Sequence, residues 1–306
     1  MGLTRTVAQW KLRTRTLELG KRTLVMGVVN ITPDSFSDGG QCLNPDAAIA
    51  RGLKLIEEGA DLLDLGAEST RPGASVGSGD AAVGADEEQA RLLPIIEGIH
   101  KARPETVISA DTYKGLTARA AVSAGAEIVN DVSGFAWDTE MASVCAVAGC
   151  GVVLMHTRGR PDEWREQSKL SAEALMHSVR GGLTESMEQA KRAGVAAESI
   201  VLDPGYGFGK KFDENYMLLA RQAELLALGR PLLAGLSRKS FLGHTLSELF
   251  GGKQAPVEAR ETASLAALVA AILHGASIVR VHDVRPAVEA ARIADAVLGA
   301  SGTSAL

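Results

Sequence analysis

Leu24-Val25-Met26-Gly27-Val28-Val29-Asn30 and Gly151-Val152-Val153-Leu154-Met155-His156 are short apolar runs with almost no polar alternation, each closed by a polar residue. A strand with one face in water alternates. A strand without alternation is covered on both faces, the condition of a parallel sheet packed under helices. Runs of the same kind recur at 61–66, 106–111, 127–131, 199–203, 231–237 and 277–283, which makes eight in all. The stretches between them carry helix signals. Asn44-Pro45 is a cap followed by a helix-starting proline, with Ile49, Leu53 and Ile56 lining one face after it, and Leu92, Ile95, Ile96 and Ile99 repeat the spacing. Eight such units predict an α/β chain folded as a (β/α)8 TIM barrel rather than an open doubly wound sheet, whose edge strands would be shorter and more polar. No composition break interrupts 1–306, so one domain is expected. Within it, 1–22 forms an N-terminal extension, where the alternating segment Trp10 to Leu19 reads as a hairpin that turns at Gly20 and closes the bottom of the barrel.

Composition narrows the function. With 306 residues, 46% hydrophobic and 23% charged, the chain is an ordinary globular protein and not a disordered one. The net charge of -5 argues against a nucleic-acid partner held by overall field. Three scattered cysteines, Cys42, Cys145 and Cys150, spell neither a disulfide framework nor a structural zinc site. The stretch from Met1 to Lys21 lacks the apolar core of a signal peptide, and the longest apolar run, Leu265 to Leu273, is too short to span a membrane. A cytoplasmic enzyme of small molecules, with no membrane partner, is the expectation.

Every run ends in polar residues: Asn30, Glu68, Asp111, Asn130 with Asp131, His156, Asp203, Ser237 with Lys239, and Arg280 with His282. In a barrel that edge is the active face. Any one of them alone is more often a turn residue; eight on one rim point to a site. Strand alternation puts Arg280 and His282 on one side. Ser237-Arg238-Lys239-Ser240 follows the seventh strand, where barrels commonly hold phosphate, so an anionic ligand is expected there. Gly205-Tyr206-Gly207-Phe208-Gly209-Lys210 fits neither a Walker loop, since Pro204 stands where the first glycine belongs, nor a dinucleotide fingerprint, since Lys210 replaces the last one. Gly235-Leu236-Ser237-Arg238-Lys239 is no nucleophile elbow either, because it ends in lysine. Asp111, Asn130 and Asp203, converging over the mouth, offer two acceptors and one amide that both donates and accepts, with Phe208 able to stack. That set suits a planar heterocycle whose edge alternates amino, ring N–H and carbonyl groups.

Taken together, Asn30-Ile31-Thr32-Pro33-Asp34-Ser35-Phe36-Ser37-Asp38-Gly39-Gly40, Glu68-Ser69-Thr70-Arg71-Pro72-Gly73, Asp111-Thr112-Tyr113-Lys114, Asn130-Asp131-Val132-Ser133-Gly134, Asp203 to Lys210, Ser237 to Ser240 and Arg280-Val281-His282-Asp283 resemble the motifs of the dihydropteroate synthase family, in the family's order. The resemblance implies transfer of a pterinylmethyl group from 7,8-dihydropterin-6-ylmethyl diphosphate to p-aminobenzoate, with Mg2+ as cofactor and sulfonamides competing at the arylamine side. It implies that Asp111, Asn130, Met155, Asp203, Gly207, Phe208, Lys239 and Arg280 hold the pterin. Asn30, Arg280 and His282 hold diphosphate, with Asn30 also on the metal, and Phe36, Thr70, Arg71, Pro72, Phe208 and Ser240 shape the p-aminobenzoate side. It also implies a homodimer through outer helices.

A diphosphate leaving a methylene on an electron-rich dihydropterin gives a loose, cation-like transition state. The catalytic work expected of Lys239, Arg280 and His282 is placing charge, with Asp38 facing the developing cation. Two departures from the family pattern stand out: a lengthened second loop over 75–84, and Thr157-Arg158 where Met and Gln are more usual. Rival readings are a pterin-dependent methyltransferase on the same barrel, a Schiff-base aldolase built on Lys239, and a non-catalytic pterin-binding protein.

Overall fold

The structure, a computed structural model, describes residues 6–31, 44–68 and 83–300. Two short antiparallel strands, β1 (Ala8–Lys11) and β2 (Thr16–Leu19), precede β3 (Leu24–Asn30), β4 (Leu62–Gly66), β5 (Val107–Asp111), β6 (Ile128–Asp131), β7 (Gly151–Met155), β8 (Ile200–Asp203), β9 (Leu232–Ala234) and β10 (Ala276–Val281). The last eight close a parallel barrel in chain order, with β10 returning to pair with β3. Around it run α1 (Pro45–Glu57), α2 (Ala85–Ala102), α3 (Gly115–Ser123), α4 (Met141–Ala148), α5 (Ala172–Ala193), α6 (Phe212–Arg221), α7 (Ser240–Thr245), α8 (Glu261–Leu273) and α9 (Val284–Ala300). The expected barrel is present, each strand within a few residues of its predicted place.

Strand alternation sorts the barrel residues into two apolar populations. Val25, Val29, Leu63, Leu65, Ile108, Ala110, Val279 and Val281 turn outward onto α1, α2, α8 and α9. Val129, Val152, Leu154, Ile200, Leu202 and Ala234 do the same beneath the helices of the other half. The residues between them point inward: Met26, Leu62, Val107, Ile128, Val153, Val201, Leu233 and Ile278 fill the lower barrel together with Trp10, Leu12 and Leu19 of the hairpin. Both populations are dry, which is why the runs carry no alternation of polarity.

Helix ends follow the local signals. Asn44 caps α1 through its side-chain oxygen, which accepts from Asp46 N at 3.0 Å and Ala47 N at 3.3 Å. The buried face of α1 is Ala48, Gly52 and Leu55, flanked by the half-buried Ile49 and Ile56; small residues lie where the helix presses closest. The Leu265 to Leu273 stretch lies in α8, whose Ala267, Leu268, Ala271 and Ile272 are buried against the barrel.

The hairpin does close the bottom, but its turn lies elsewhere than expected. Leu12 N donates to Arg15 O at 2.8 Å, so the reversal falls at 12–15, and Gly20 follows the second strand. The physical reason is that Trp10 and Leu12 face into the barrel while Thr14 reaches Glu127, whose carboxylate accepts from Thr14 N at 2.9 Å and also from its hydroxyl. Trp10 Nε1 donates to Ser199 O at 2.9 Å. Gly151 is glycine because of this plug: an added Cβ would stand 2.5 Å from Leu12 Cδ2 and 3.2 Å from Trp10 Nε1.

Candidate active site

The upper ends of the same inward rows are charged. Arg280, one alternation above Ile278, sends Nε to Asp64 Oδ2 at 2.5 Å and Nη2 to Asp111 Oδ2 at 2.6 Å. Asn130 Nδ2 donates to the same Asp64 oxygen at 3.1 Å. Asp64, Asp111, Asn130 and Arg280 come from β4, β5, β6 and β10, so these bonds run across the barrel rather than along its wall.

Asp203, at the end of β8, accepts Gly205 N on Oδ1 at 2.7 Å. Lys239 comes from the loop after β9. Its ammonium lies 4.0 Å from the Phe208 ring centroid, and Gly207, whose φ of 84° favours glycine, lies so close that a Cβ there would press on the lysine Cδ at 3.3 Å. Tyr113, Val132 and Met155 pack into one apolar wall, against which Phe208 and Trp137 lean.

Burial and neighbouring charge set the protonation of this cluster. Asp111 is pushed up to about 7 by burial; Arg280 pulls it down and the Asp64 carboxylate pushes it further up. Burial also raises Asp203, against the Gly205 N–H and the charge of Lys239. Lys239 is drawn down to about 8 by burial, with Asp203 favouring its charge and Arg280 opposing it. For Arg280 burial works against the charge, and the carboxylates of Asp64 and Asp111 outweigh it, so the guanidinium is held above its ordinary value. A cation of fixed charge thus sits between two carboxylates, one of them raised to about 7, beside an amine drawn down to about 8 and a second acid that burial also raises.

The predicted rim divides on inspection. Asp111, Asn130, Met155, Asp203, Gly207, Phe208, Lys239 and Arg280 gather at the mouth. His282 lies past the end of β10, so strand alternation does not place it; instead its Nδ1 is 3.0 Å from Ser237 Oγ and its carbonyl accepts Arg51 Nη2 at 2.8 Å. Asn30 ends β3, half-buried, beside Gly66 in register. Ser240 begins α7, and its carbonyl accepts Gln254 Nε2 at 2.6 Å. Phe36, Asp38, Thr70, Arg71 and Pro72 lie outside the described residues, as does most of the lengthened loop.

Several rim residues have other work. Asp131 turns away from the mouth and accepts Ser133 N and Phe135 N, both at 2.8 Å, holding the loop after β6. His156 points back toward α5, where its ring meets Gly182. Glu68 is a strut, taking Tyr113 Oη at 3.2 Å and the Lys114 ammonium. Within Ser237 to Ser240, Lys239 faces the mouth, whereas Arg238, at a left-handed φ of 60°, is turned onto Asp283 at 2.6 and 3.1 Å. The unusual Arg158 pairs with the buried Glu214 at 3.2 Å, tying the loop after β7 to α6. Lys210 anchors the glycine loop from behind, donating to His156 O, Gly205 O and Phe208 O at 3.2, 2.7 and 3.3 Å.

Asp64 is the site residue that the reading of strand ends passes over. It stands mid-strand in Leu62-Leu63-Asp64-Leu65-Gly66 and is fully buried. The signal was available, since a lone carboxylate in the middle of a doubly covered strand must have a buried partner.

A hard cation such as Mg2+ takes oxygen ligands and keeps several from substrate phosphate and water. Asn30 offers a donor of that kind, a carboxamide oxygen at the rim.

Comparison with known proteins gives the same answer. The family model for pterin binding enzymes matches residues 26–282. Dihydropteroate synthase of Mycobacterium leprae is 44% identical over 276 residues, covering 90% of this chain and 94% of its own. The structure of Xanthomonas albilineans dihydropteroate synthase with 4-aminobenzoic acid superposes with a TM-score of 0.83 at 40% identity, covering 95% of this chain and 98% of that one. That of Yersinia pestis dihydropteroate synthase with a sulfonamide drug complex gives 0.84 at 37% identity, covering 95% and 99%. Matched to that family model over most of its length and 44% identical to such a relative, the chain belongs to the dihydropteroate synthase family of pterin binding enzymes.

Proposed function

We propose that the barrel mouth joins 7,8-dihydropterin-6-ylmethyl diphosphate to p-aminobenzoate, giving 7,8-dihydropteroate and pyrophosphate. The observation that carries this reading is the set of Asp111, Asn130, Asp203, Lys239 and Arg280 around one opening, matched to a flat ring with alternating donors and acceptors. Asp111, Asn130 and Asp203 address the polar edge of the ring, while Met155, Gly207 and Phe208 give it an apolar bed. Arg280 has Nε and Nη2 engaged with carboxylates, so its planar face and Nη1 are what it offers a ligand.

In the displacement the bond from methylene carbon to diphosphate oxygen breaks, and its electron pair leaves with pyrophosphate. The arylamine nitrogen forms the new carbon–nitrogen bond and gives up a proton to solvent. No protein nucleophile is required, and Lys239, next to Asp203 and over Phe208, acts by its charge rather than by forming an imine. Asn30 and the diphosphate oxygens would hold Mg2+, which supplies positive charge to the leaving group. Arg280 and His282 add to that charge, and Ser237 fixes the orientation of the His282 ring. Asp38 is assigned to the developing cation, and Phe36, Thr70, Arg71, Pro72, Phe208 and Ser240 to the p-aminobenzoate side. A homodimer through outer helices belongs to the same reading; sedimentation checks it.

The direct test incubates the protein with the pterin diphosphate, labelled p-aminobenzoate and Mg2+. Labelled dihydropteroate is expected, and its absence with folded protein refutes the assignment.

A further inference from the structure

Asp64 has one carboxylate oxygen, Oδ2, shared between two residues that the proposed function assigns to the pterin. It accepts Arg280 Nε at 2.5 Å and Asn130 Nδ2 at 3.1 Å. The residue is fully buried, and its other oxygen has no partner among the described residues. It is therefore out of a ligand's reach but in contact with two of the ligand's expected partners.

A carboxylate only accepts hydrogen bonds, whereas a carboxamide has two ends of similar shape and opposite polarity. Facing an acceptor, Asn130 must turn its NH2 end inward. Its Oδ1, which makes no hydrogen bond among the described residues, and its second Nδ2 hydrogen are what remain for a ligand. A neutral partner at 64 would accept either end of Asn130 and leave its reading of a donor or an acceptor undetermined. For Arg280 the same oxygen holds Nε while Asp111 holds Nη2, which fixes the guanidinium plane at two points.

We propose that Asp64 is the positioning and specificity-determining residue of the pterin side: one buried carboxylate oxygen sets which end of the Asn130 carboxamide meets the ligand and fixes the plane of Arg280. The inference rests on the proposed function, because it presumes that Asn130 and Arg280 face a pterin. Asp64 touches no reacting atom and acts through these two side chains.

The test uses Asp64→Asn, which keeps shape and removes the acceptor-only character, and Ser109→Ala as a control, since Ser109 is its buried register neighbour on β5. The readouts are calorimetric binding of 6-hydroxymethyl-7,8-dihydropterin and the KM for p-aminobenzoate. The expected result is a pterin affinity reduced about tenfold or more in Asp64→Asn, with the p-aminobenzoate KM changed by less than about twofold and Ser109→Ala behaving as the unmodified protein. Equal pterin affinity in Asp64→Asn overturns the inference while leaving the proposed function standing. Equal losses in the two variants, or a matching rise in the p-aminobenzoate KM, overturn it too, since those mark general damage. No pterin binding by the unmodified protein overturns the proposed function and this inference with it.

Should Asp64→Asn not fold, nitrogen-15 NMR of the unmodified protein decides. A slowly exchanging Arg280 Nε–H signal that persists when the pterin is added supports the inference. A rapidly exchanging one, or one that slows only with ligand, overturns it.

Discussion

Ile278 and Arg280 stand two residues apart on β10 and both point into the barrel, yet they belong to different chemistries. Ile278 lies in the apolar packing of Trp10, Leu12 and the lower strands, while Arg280 lies between Asp64 and Asp111. The same alternation on β4, β5 and β6 takes Leu62 to Asp64, Val107 through Ser109 to Asp111, and Ile128 to Asn130. One end of each strand is sealed by a hairpin and supplies burial; the other holds charges that neutralise one another only because all of them are present. Stability and recognition are thus separated by about one strand repeat, some 7 Å along the chain. Changes at the two ends should have nearly orthogonal consequences.

The largest expected effect is at the bottom. Trp10→Ala removes a fully buried indole and its bond to Ser199, and should cost about 3–5 kcal/mol by urea denaturation while kcat of the folded fraction is unchanged. A fall in kcat would show that the two ends communicate. At the mouth the converse is expected. Lys239→Ala should lower turnover by about 10²-fold or more in a chain that still unfolds cooperatively, measured by product formation and by thermal unfolding of one preparation.

Gly151→Ala sharpens the boundary. The new methyl would press on Leu12 and Trp10 and should destabilise by about 1–3 kcal/mol, again without changing the KM for either substrate. A further effect is on pH dependence. Lys239 is drawn down to about 8 in the fold, so above that value the native chain has shed a proton that the unfolded chain keeps up to about 10.4. The unfolded state then binds more protons, and unfolding free energy rises with pH from about 8 to about 10.4. In Lys239→Met this rise should be shallower by the contribution of one proton, as urea titrations across that range would register; an unchanged slope would mean that the amine is not held down at the mouth.

How much of this was legible in the sequence depended on whether a feature is local. The eight strands were legible because burial on both faces writes itself as an unbroken apolar run, and the Asn44-Pro45 cap because capping is a matter of adjacent residues. The hairpin turn was not. Gly20 looks like a turn residue, but the reversal at 12–15 is set by where Trp10, Leu12 and Thr14 find partners on distant strands. The rim residues were legible as a set, but not in their division of labour: Asp131, His156 and Arg238 follow or end strands in the same way as Asp203 and Lys239 and nevertheless turn away.

From the sequence alone come the eightfold repeat, the end of the barrel that carries the chemistry, and the family motifs in order, because each rests on periodicity or on neighbouring residues. Only the folded chain decides that Asp64 is a partner of Arg280, 216 positions away, and that Arg238 serves Asp283 while Lys239 serves the mouth. The physical reason is that a charge inside a protein is tolerated only with its partner beside it. When strands from across the chain supply that partner, closure of the barrel settles the pairing and sequence spacing carries no record of it.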